Sequence, residues 1–250
     1  MVAPPILPNP PSPSKRRFLV LDLNGVLVQS VHCPKAPTVP FSKPESMDYG
    51  GLPVYIKSKL VYLRPWLRRF LEIAQTRWWV VIWSSMKLEN TQAIVEFIFK
   101  GLEPPCLILG QDSCRTLITP EGRVVKKPGN THVNQYLKVL KPIFWDQRPS
   151  MVGCPYDLRP SRDNTLMVDD SPSKNILNPT SNFIVCPTWT VGKVQDRFLL
   201  DLIKYLQALV GSSLPVPNFV SNNPIGERYM EPRDYMYREL YSHAKFNKLI

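Results

Sequence analysis

Three short apolar runs in this chain end in side chains able to act on phosphorus. Phe18-Leu19-Val20-Leu21 closes on Asp22-Leu23-Asn24-Gly25, Trp78-Trp79-Val80-Val81-Ile82-Trp83 closes on Ser84-Ser85, and Thr165-Leu166-Met167-Val168 closes on Asp169-Asp170-Ser171-Pro172. A carboxylate can attack a phosphoryl group and carry it as an aspartyl-phosphate. Mg2+ typically takes one or two carboxylates together with substrate oxygens. A hydroxyl and an ammonium group can hold the remaining phosphoryl oxygens as charge develops. Asp22 is therefore the candidate nucleophile, Asp169 and Asp170 are candidate metal ligands, and Ser84 is a candidate phosphoryl donor. Each also has a plainer reading. Asp22 suits a turn before Gly25, Asp169-Asp170-Ser171-Pro172 suits a helix N-cap followed by proline, and Ser84 suits an ordinary strand end. Asp22 and the Asp169-Asp170 pair, each after an apolar run, favour the chemical reading.

The elements that must position these residues follow from pattern. A continuous apolar run closed by a turn reads as a buried parallel strand, and ligands of open α/β sheets bind at the carboxyl ends of such strands. Phe183-Ile184-Val185-Cys186 adds a fourth run. Helical spacing of Leu67, Phe70, Leu71 and Ala74 predicts a helix starting at Pro65, with further helices over 87–100, 132–144 and about 195–210. Short strands are expected at 54–56 and 60–62, a loop or flap over 29–53, and a strand insertion or hairpin within 105–127. Alternating strands and helices imply an α/β fold with a doubly wound parallel sheet and a small β insertion. Residues 1–16, rich in Pro and Ser, are expected to be disordered. Residues 17–210 would form the domain, and residues 211–250 an extension lying outside the core.

Composition narrows the partners. A formal net charge of +11 in 250 residues suggests an acidic partner. The basic residues fall in separate groups, however, such as Lys15-Arg16-Arg17 and Lys126-Lys127. They form no long run interleaved with aromatics, so no direct nucleic-acid binding is expected. The five cysteines contain no C-x-x-C pair, which favours reduced thiols and a nuclear or cytoplasmic location. The N-terminus has no apolar core of a signal peptide, and no stretch of roughly 18 apolar residues predicts a membrane span. Nothing in the sequence fixes an oligomeric state.

LVLDLNGVLV resembles the first motif of the haloacid dehalogenase superfamily, D-x-D-x-[TV]-[LV]. VVIWSSM resembles its second motif, and LMVDDSP its fourth, in the D-[DN]-S-P form of the branch that dephosphorylates the C-terminal domain (CTD) of RNA polymerase II. That branch includes the small CTD phosphatases, the NLI-interacting-factor-like group. YLRPWLRRFLEIAQTRWWVVIWSS and CLILGQDSCR are similar to its sequence on either side of motif two. The resemblance spans about 17–210 and implies a Mg2+-dependent phosphoserine protein phosphatase whose substrates include that CTD. It implies Asp22 as nucleophile and metal ligand, and Asn24 as a metal ligand through its backbone carbonyl. It further implies Ser84, with Ser85 beside it, as phosphate-binding, Asp170 as a direct metal ligand, and Asp169 as orienting the metal's water and a lysine. YLKVLKPIFW resembles the motif-three stretch and points to Lys138, with Lys126, Lys127 and Lys141 as competitors.

One departure matters. Active members carry Asp two residues after the nucleophile, where it donates and then removes a proton; this chain carries Asn24, in a D-L-N-G form similar to that of plant members. An amide does not titrate, and general acid–base catalysis typically contributes roughly 10²–10⁴-fold. Three readings follow: a slow phosphatase, a pseudophosphatase that binds phosphoproteins or a protein partner, and an interaction protein similar to the haloacid-dehalogenase-fold subunit of a mitochondrial import translocase. The last would bring a transit peptide and a membrane anchor, and the sequence displays neither.

Overall fold

Burial is nearly continuous along each apolar run, while successive side chains turn to opposite faces, and that pattern defines the architecture. In the computed structural model, which describes residues 16–35, 53–147 and 149–250, the chain runs β1 (Arg17–Leu21), β2 (Val28–His32), β3 (Val54–Ile56), β4 (Lys59–Leu63), α1 (Leu67–Arg77), β5 (Trp78–Trp83), α2 (Leu88–Ile98) and β6 (Leu107–Leu109). It continues through β7 (Arg115–Thr116), β8 (Lys126–Lys127), β9 (Asn130–Asn134), β10 (Tyr136–Leu137), β11 (Thr165–Asp169), β12 (Phe183–Val185), α3 (Phe198–Gly211), α4 (Val216–Asn222) and α5 (Tyr235–Phe246). Five strands make one parallel sheet in the order β12-β11-β1-β5-β6. Leu19, Leu21, Val80, Ile82, Leu166 and Val168 pack into one apolar cluster with side chains of α1, α2 and α3. Their neighbours Phe18, Val20, Val81, Trp83 and Met167 belong to a second cluster with Leu140, Phe144 and Met151. A strand sends successive side chains to opposite faces, so the sheet is buried on both, as its uninterrupted apolar runs require.

Strand order places the chemistry. The chain enters at the central strand β1, adds β5 and β6 to one side, then returns past β1 to add β11 and β12 on the other. The reversal leaves a crevice at the carboxyl ends of β1 and β11, where ligands of such sheets sit. Register brings the strand tips level: Leu21 pairs with Val168 on one side and with Ile82 on the other. Asp22 and Asp169 are therefore adjacent by construction, and Ser84 follows one residue beyond the end of β5.

Four expectations change. The helix predicted over 132–144 does not form; β9 and β10 occupy its first half, and a five-residue π-helical turn, Lys141–Trp145, follows. The turn at Gly129 (φ +74°) sends the chain back antiparallel to β8, and Pro142 cannot donate a helical hydrogen bond. The run at 107–109 is an edge strand of the main sheet rather than part of the insertion. After Gly211, Val216, Phe219 and Val220 of α4 are buried in the main core, and Leu240 and Ala244 of α5 pack on Leu117, Val125 and Leu137 of the β7–β10 excursion. Polar residues dominate that stretch, but each helix turns a few apolar residues inward. Within the expected loop 29–53, β2 pairs with β4 in a three-stranded antiparallel sheet, and residues 36–52 lie outside the described residues. Residues 1–15 of the segment expected to be disordered also lie outside them. No helix among the described residues is long and apolar enough to cross a membrane.

Arg64, one of the scattered basic residues, is an internal clamp. Its side chain is fully buried; Nε and Nη2 each reach Asp196 at 2.8 Å, Nη1 donates to the carbonyl oxygens of Gly25 and Val26, and Nη2 donates to that of Pro187. It thereby ties the loop after β1 to the loop after β12. Losing one partner of a buried pair strands the other charge and typically costs about 3–5 kcal/mol. Arg64→Met is expected to lower the unfolding free energy in urea by about 3 kcal/mol. Arg68→Met, whose parent side chain pairs with Glu72 at the surface, is expected to lower it by about 1 kcal/mol or less. Equal losses in the two variants would refute the clamp.

Candidate active site

The carboxyl ends of β1 and β11 bring three carboxylates into one small volume. Asp22, Asp169 and Asp170 each offer an oxygen, and these oxygens lie within 4.8 Å of one another. Asp22 and Asp169 are fully buried. Charges this close in a low-dielectric setting need compensation, and two ammonium groups supply it. Lys138 Nζ lies 2.9 Å from Asp22 Oδ1 and 2.6 Å from Asp169 Oδ2, with its side chain wholly buried. Lys174 Nζ lies 3.3 Å from Asp22 Oδ2 and 4.0 Å from Asp169 Oδ1. The backbone N–H of Leu23 also donates to Asp22 Oδ1 (2.8 Å), and that of Ser171 to Asp169 Oδ1 (2.8 Å).

Ionisation follows from this geometry. Burial works against the charge on Asp22, but Lys138 and Lys174 outweigh it and hold the carboxyl below the ordinary range. Asp170 has the opposite fate: burial, then the neighbouring charges of Asp22 and Asp169, push it up to about 6. Lys174 is driven upward despite burial by Asp22, Asp169 and Asp170. An Asp22 that stays ionised beside two ammonium groups is a carboxylate ready to act as nucleophile or ligand.

The remaining candidates line a cleft of about 240 Å³ that opens over Asp22 and is bordered by Asn24, Ser84, Ser85, Lys59, Lys127 and Lys174. Ser84 is buried at the end of β5, and its Oγ accepts the N–H of Met86 at 3.2 Å, leaving its own O–H to donate. Asn24 is fixed through its oxygen: Oδ1 accepts both the backbone N–H (2.7 Å) and the hydroxyl (2.9 Å) of Ser30. Gly25 adopts φ +89°, and a Cβ there would fall 2.1 Å from Asp170 Oδ2. Only glycine lets the backbone pass so close to that carboxylate.

Among the four lysines weighed from sequence, geometry singles out Lys138 as the one bonded to Asp22. Lys126 bonds Asn134 instead, Lys127 stands at the cleft, and Lys141 opens the π-helical turn. Sequence reasoning missed Lys174. It ends a short 3-10 turn, Pro172–Lys174, that directly follows the Asp169-Asp170 pair. A basic residue one tight turn beyond a strand-end carboxylate pair was the available signal.

Donor chemistry suits a hard divalent ion, since three carboxylates converge and, among the described residues, neither sulfur nor imidazole joins them. The arrangement is that of an α/β domain with an anionic centre and a basic, hydroxyl-lined cleft. A family model, NLI interacting factor-like phosphatase, matches residues 17–215, and the chain belongs to that family. It is 28% identical over 199 residues to an uncharacterized FCP1 homology domain-containing protein of Schizosaccharomyces pombe, covering 78% of this chain and 71% of the relative. Two solved structures are also similar over 94% of this chain, each at 14% identity and a TM-score of 0.41. One is a beryllium fluoride-bound variant of the fission yeast RNA polymerase II CTD phosphatase Fcp1, and the other is Fcp1, described as an essential RNA polymerase II CTD phosphatase. The chain spans 65% and 64% of the length of those two structures.

The raised Asp170 gives a signed pH dependence. Its folded value of about 6 exceeds the ordinary 3.8, so between those values the folded state binds more protons than the unfolded, and stability falls as pH rises. In metal-free buffer Asp170→Asn is expected to match the parent protein at pH 4. At pH 7 it should exceed the parent by on the order of 2–3 kcal/mol. Urea titrations at the two pH values measure this, and a parent protein that stays as stable as the variant at pH 7 would show Asp170 to be unperturbed.

Proposed function

We propose that this chain is a Mg2+-dependent phosphoserine protein phosphatase that works through an aspartyl-phosphate on Asp22 and turns over slowly because Asn24 cannot transfer protons. The convergence of an ionised Asp22 with Asp169, Asp170 and Lys138 beneath a basic cleft carries this reading. Membership in the NLI interacting factor-like phosphatase family supports it. Bound at the three carboxylates, Mg2+ would act as a Lewis acid, neutralising phosphoryl charge.

The chain's own residues do the rest. Asp22 Oδ2, the carboxylate oxygen without a backbone donor, attacks phosphorus; the seryl O–P bond breaks and its electron pair leaves on the seryl oxygen. Lys138 holds the carboxylate in place through Oδ1. Ser84 and Ser85 donate to phosphoryl oxygens, and Asp169 fixes Lys138. Asn24 contributes its backbone carbonyl toward the metal while its side chain stays on Ser30. The seryl oxygen must therefore take its proton from water. Hydrolysis of the aspartyl-phosphate likewise proceeds without a base at position 24, and both steps slow. The family and the D-D-S-P motif favour phosphoserine in proteins, with the CTD of RNA polymerase II the first substrate to try, and a nuclear or cytoplasmic location belongs to the same reading.

A second reading rests on one observation. Asn24 is held by two hydrogen bonds through its amide oxygen, so the position is well ordered yet lacks a proton to give. A pseudophosphatase that binds phosphorylated proteins through the same cleft fits that geometry.

Hydrolysis of para-nitrophenyl phosphate with Mg2+ separates the two readings. A slow phosphatase predicts measurable release that Asp22→Asn abolishes and a chelator stops. It also predicts an acid-stable, hydroxylamine-labile phosphoenzyme that builds up before steady state. Asn24→Asp can accept the same two bonds from Ser30 and is expected to raise kcat by about 100-fold. Saturable binding of a phosphoserine peptide with no phosphate release, and no gain in Asn24→Asp, would favour the binding protein instead.

A further inference from the structure

We propose that Lys174 is a resident cation in the seat of the metal: its ammonium group neutralises the three-carboxylate cluster until Mg2+ displaces it into the cleft, where it holds the phosphoryl group. This inference rests on the metal-binding reading of the cluster given above. Three carboxylates face two ammonium groups, and the two lysines are not equivalent. Lys138 is wholly buried with contacts of 2.6 and 2.9 Å. Lys174 keeps 14% of its side chain exposed, with contacts of 3.3 and 4.0 Å. It touches Asp22 on Oδ2, the oxygen not shared with Lys138, and its charge acts on all three acids. A divalent ion held by these carboxylates would compete with that ammonium for the same negative charge.

Access to the cluster points the same way. Gly25 closes one side of Asp170, since even a methyl group there would fall 2.1 Å from its Oδ2. The open approach to Asp22 is the cleft, which Lys174 lines. The Lys174 backbone is anchored, donating to Ser171 O at 3.1 Å and accepting from Lys138 N–H at 2.8 Å. Only its flexible side chain is free to swing, and the cleft already holds the hydroxyls of Ser84 and Ser85. Metal loading therefore delivers a cation to the place a phosphoryl group would occupy, and the two ligands bind cooperatively.

Calorimetric titration with Mg2+ tests this without reference to turnover. Lys174→Met keeps the length of the side chain and removes its charge. It is expected to bind Mg2+ about tenfold more tightly than the parent protein. In the parent, saturating inorganic phosphate is expected to tighten Mg2+ binding by about fivefold or more, and in Lys174→Met by less. The metal-free variant is expected to melt below the parent and to recover on adding Mg2+. Should it fail to fold without metal, Lys174→Gln is titrated in its place with the same expectations. Equal or weaker Mg2+ binding by the variant would overturn the role of Lys174 while leaving the metal site standing. An absence of Mg2+ binding by both proteins would overturn the metal site and this inference together.

Discussion

Like charges held within 4.8 Å of one another in a buried place are the constraint around which this molecule is built. Left alone, Asp22, Asp169 and Asp170 would repel and would each pay for lost hydration. Their proximity is tolerated because Lys138 and Lys174 sit among them and because backbone N–H groups from Leu23 and Ser171 cap two of the oxygens. Burial, and then the uncompensated charge of Asp22 and Asp169, push Asp170 toward neutrality. A cluster with such an imbalance draws in a further cation or a proton.

Supporting it falls to the sheet and to two unusual contacts. β1 lies between β11 and β5, hydrogen-bonded on both sides, and this fixes the spacing of Asp22 from Asp169 as firmly as parallel pairing can. Gly25 allows the following loop to pass under Asp170, and Arg64 holds that loop to the far end of β12 through the carbonyls of Gly25, Val26 and Pro187. A fully buried guanidinium is costly unless saturated. Here the loop carbonyls and Asp196 saturate it.

Much of this was legible in the sequence, and the reason is physical. A parallel strand buried on both faces must be apolar throughout, so 18–21, 78–83 and 165–168 declared themselves, and the polar residues closing them had to stand at one edge. The lysines were less legible because an amine on a four-carbon stem reaches far from its backbone. Lys138 could be separated from Lys126, Lys127 and Lys141 only by coordinates, and Lys174 was overlooked inside a turn read as a cap. The segment 132–144 misled because its apolar residues satisfy a helical period by chance, while Gly129 just before it and Pro142 near its end govern the outcome. Polar composition likewise concealed the contribution of α4 and α5, since a short helix needs only three or four apolar residues to dock.

The contrast between β1 and the walls of the cleft has a consequence for motion. Beneath Asp22 lies the central strand of a five-stranded sheet, whose amides exchange with solvent only when the whole domain opens. The walls include residues of β2, β4 and β9 and of the two-residue strands β8 and β10, which can open locally at far lower cost. The rim of the cleft can therefore breathe while the distances among the carboxylates stay unchanged.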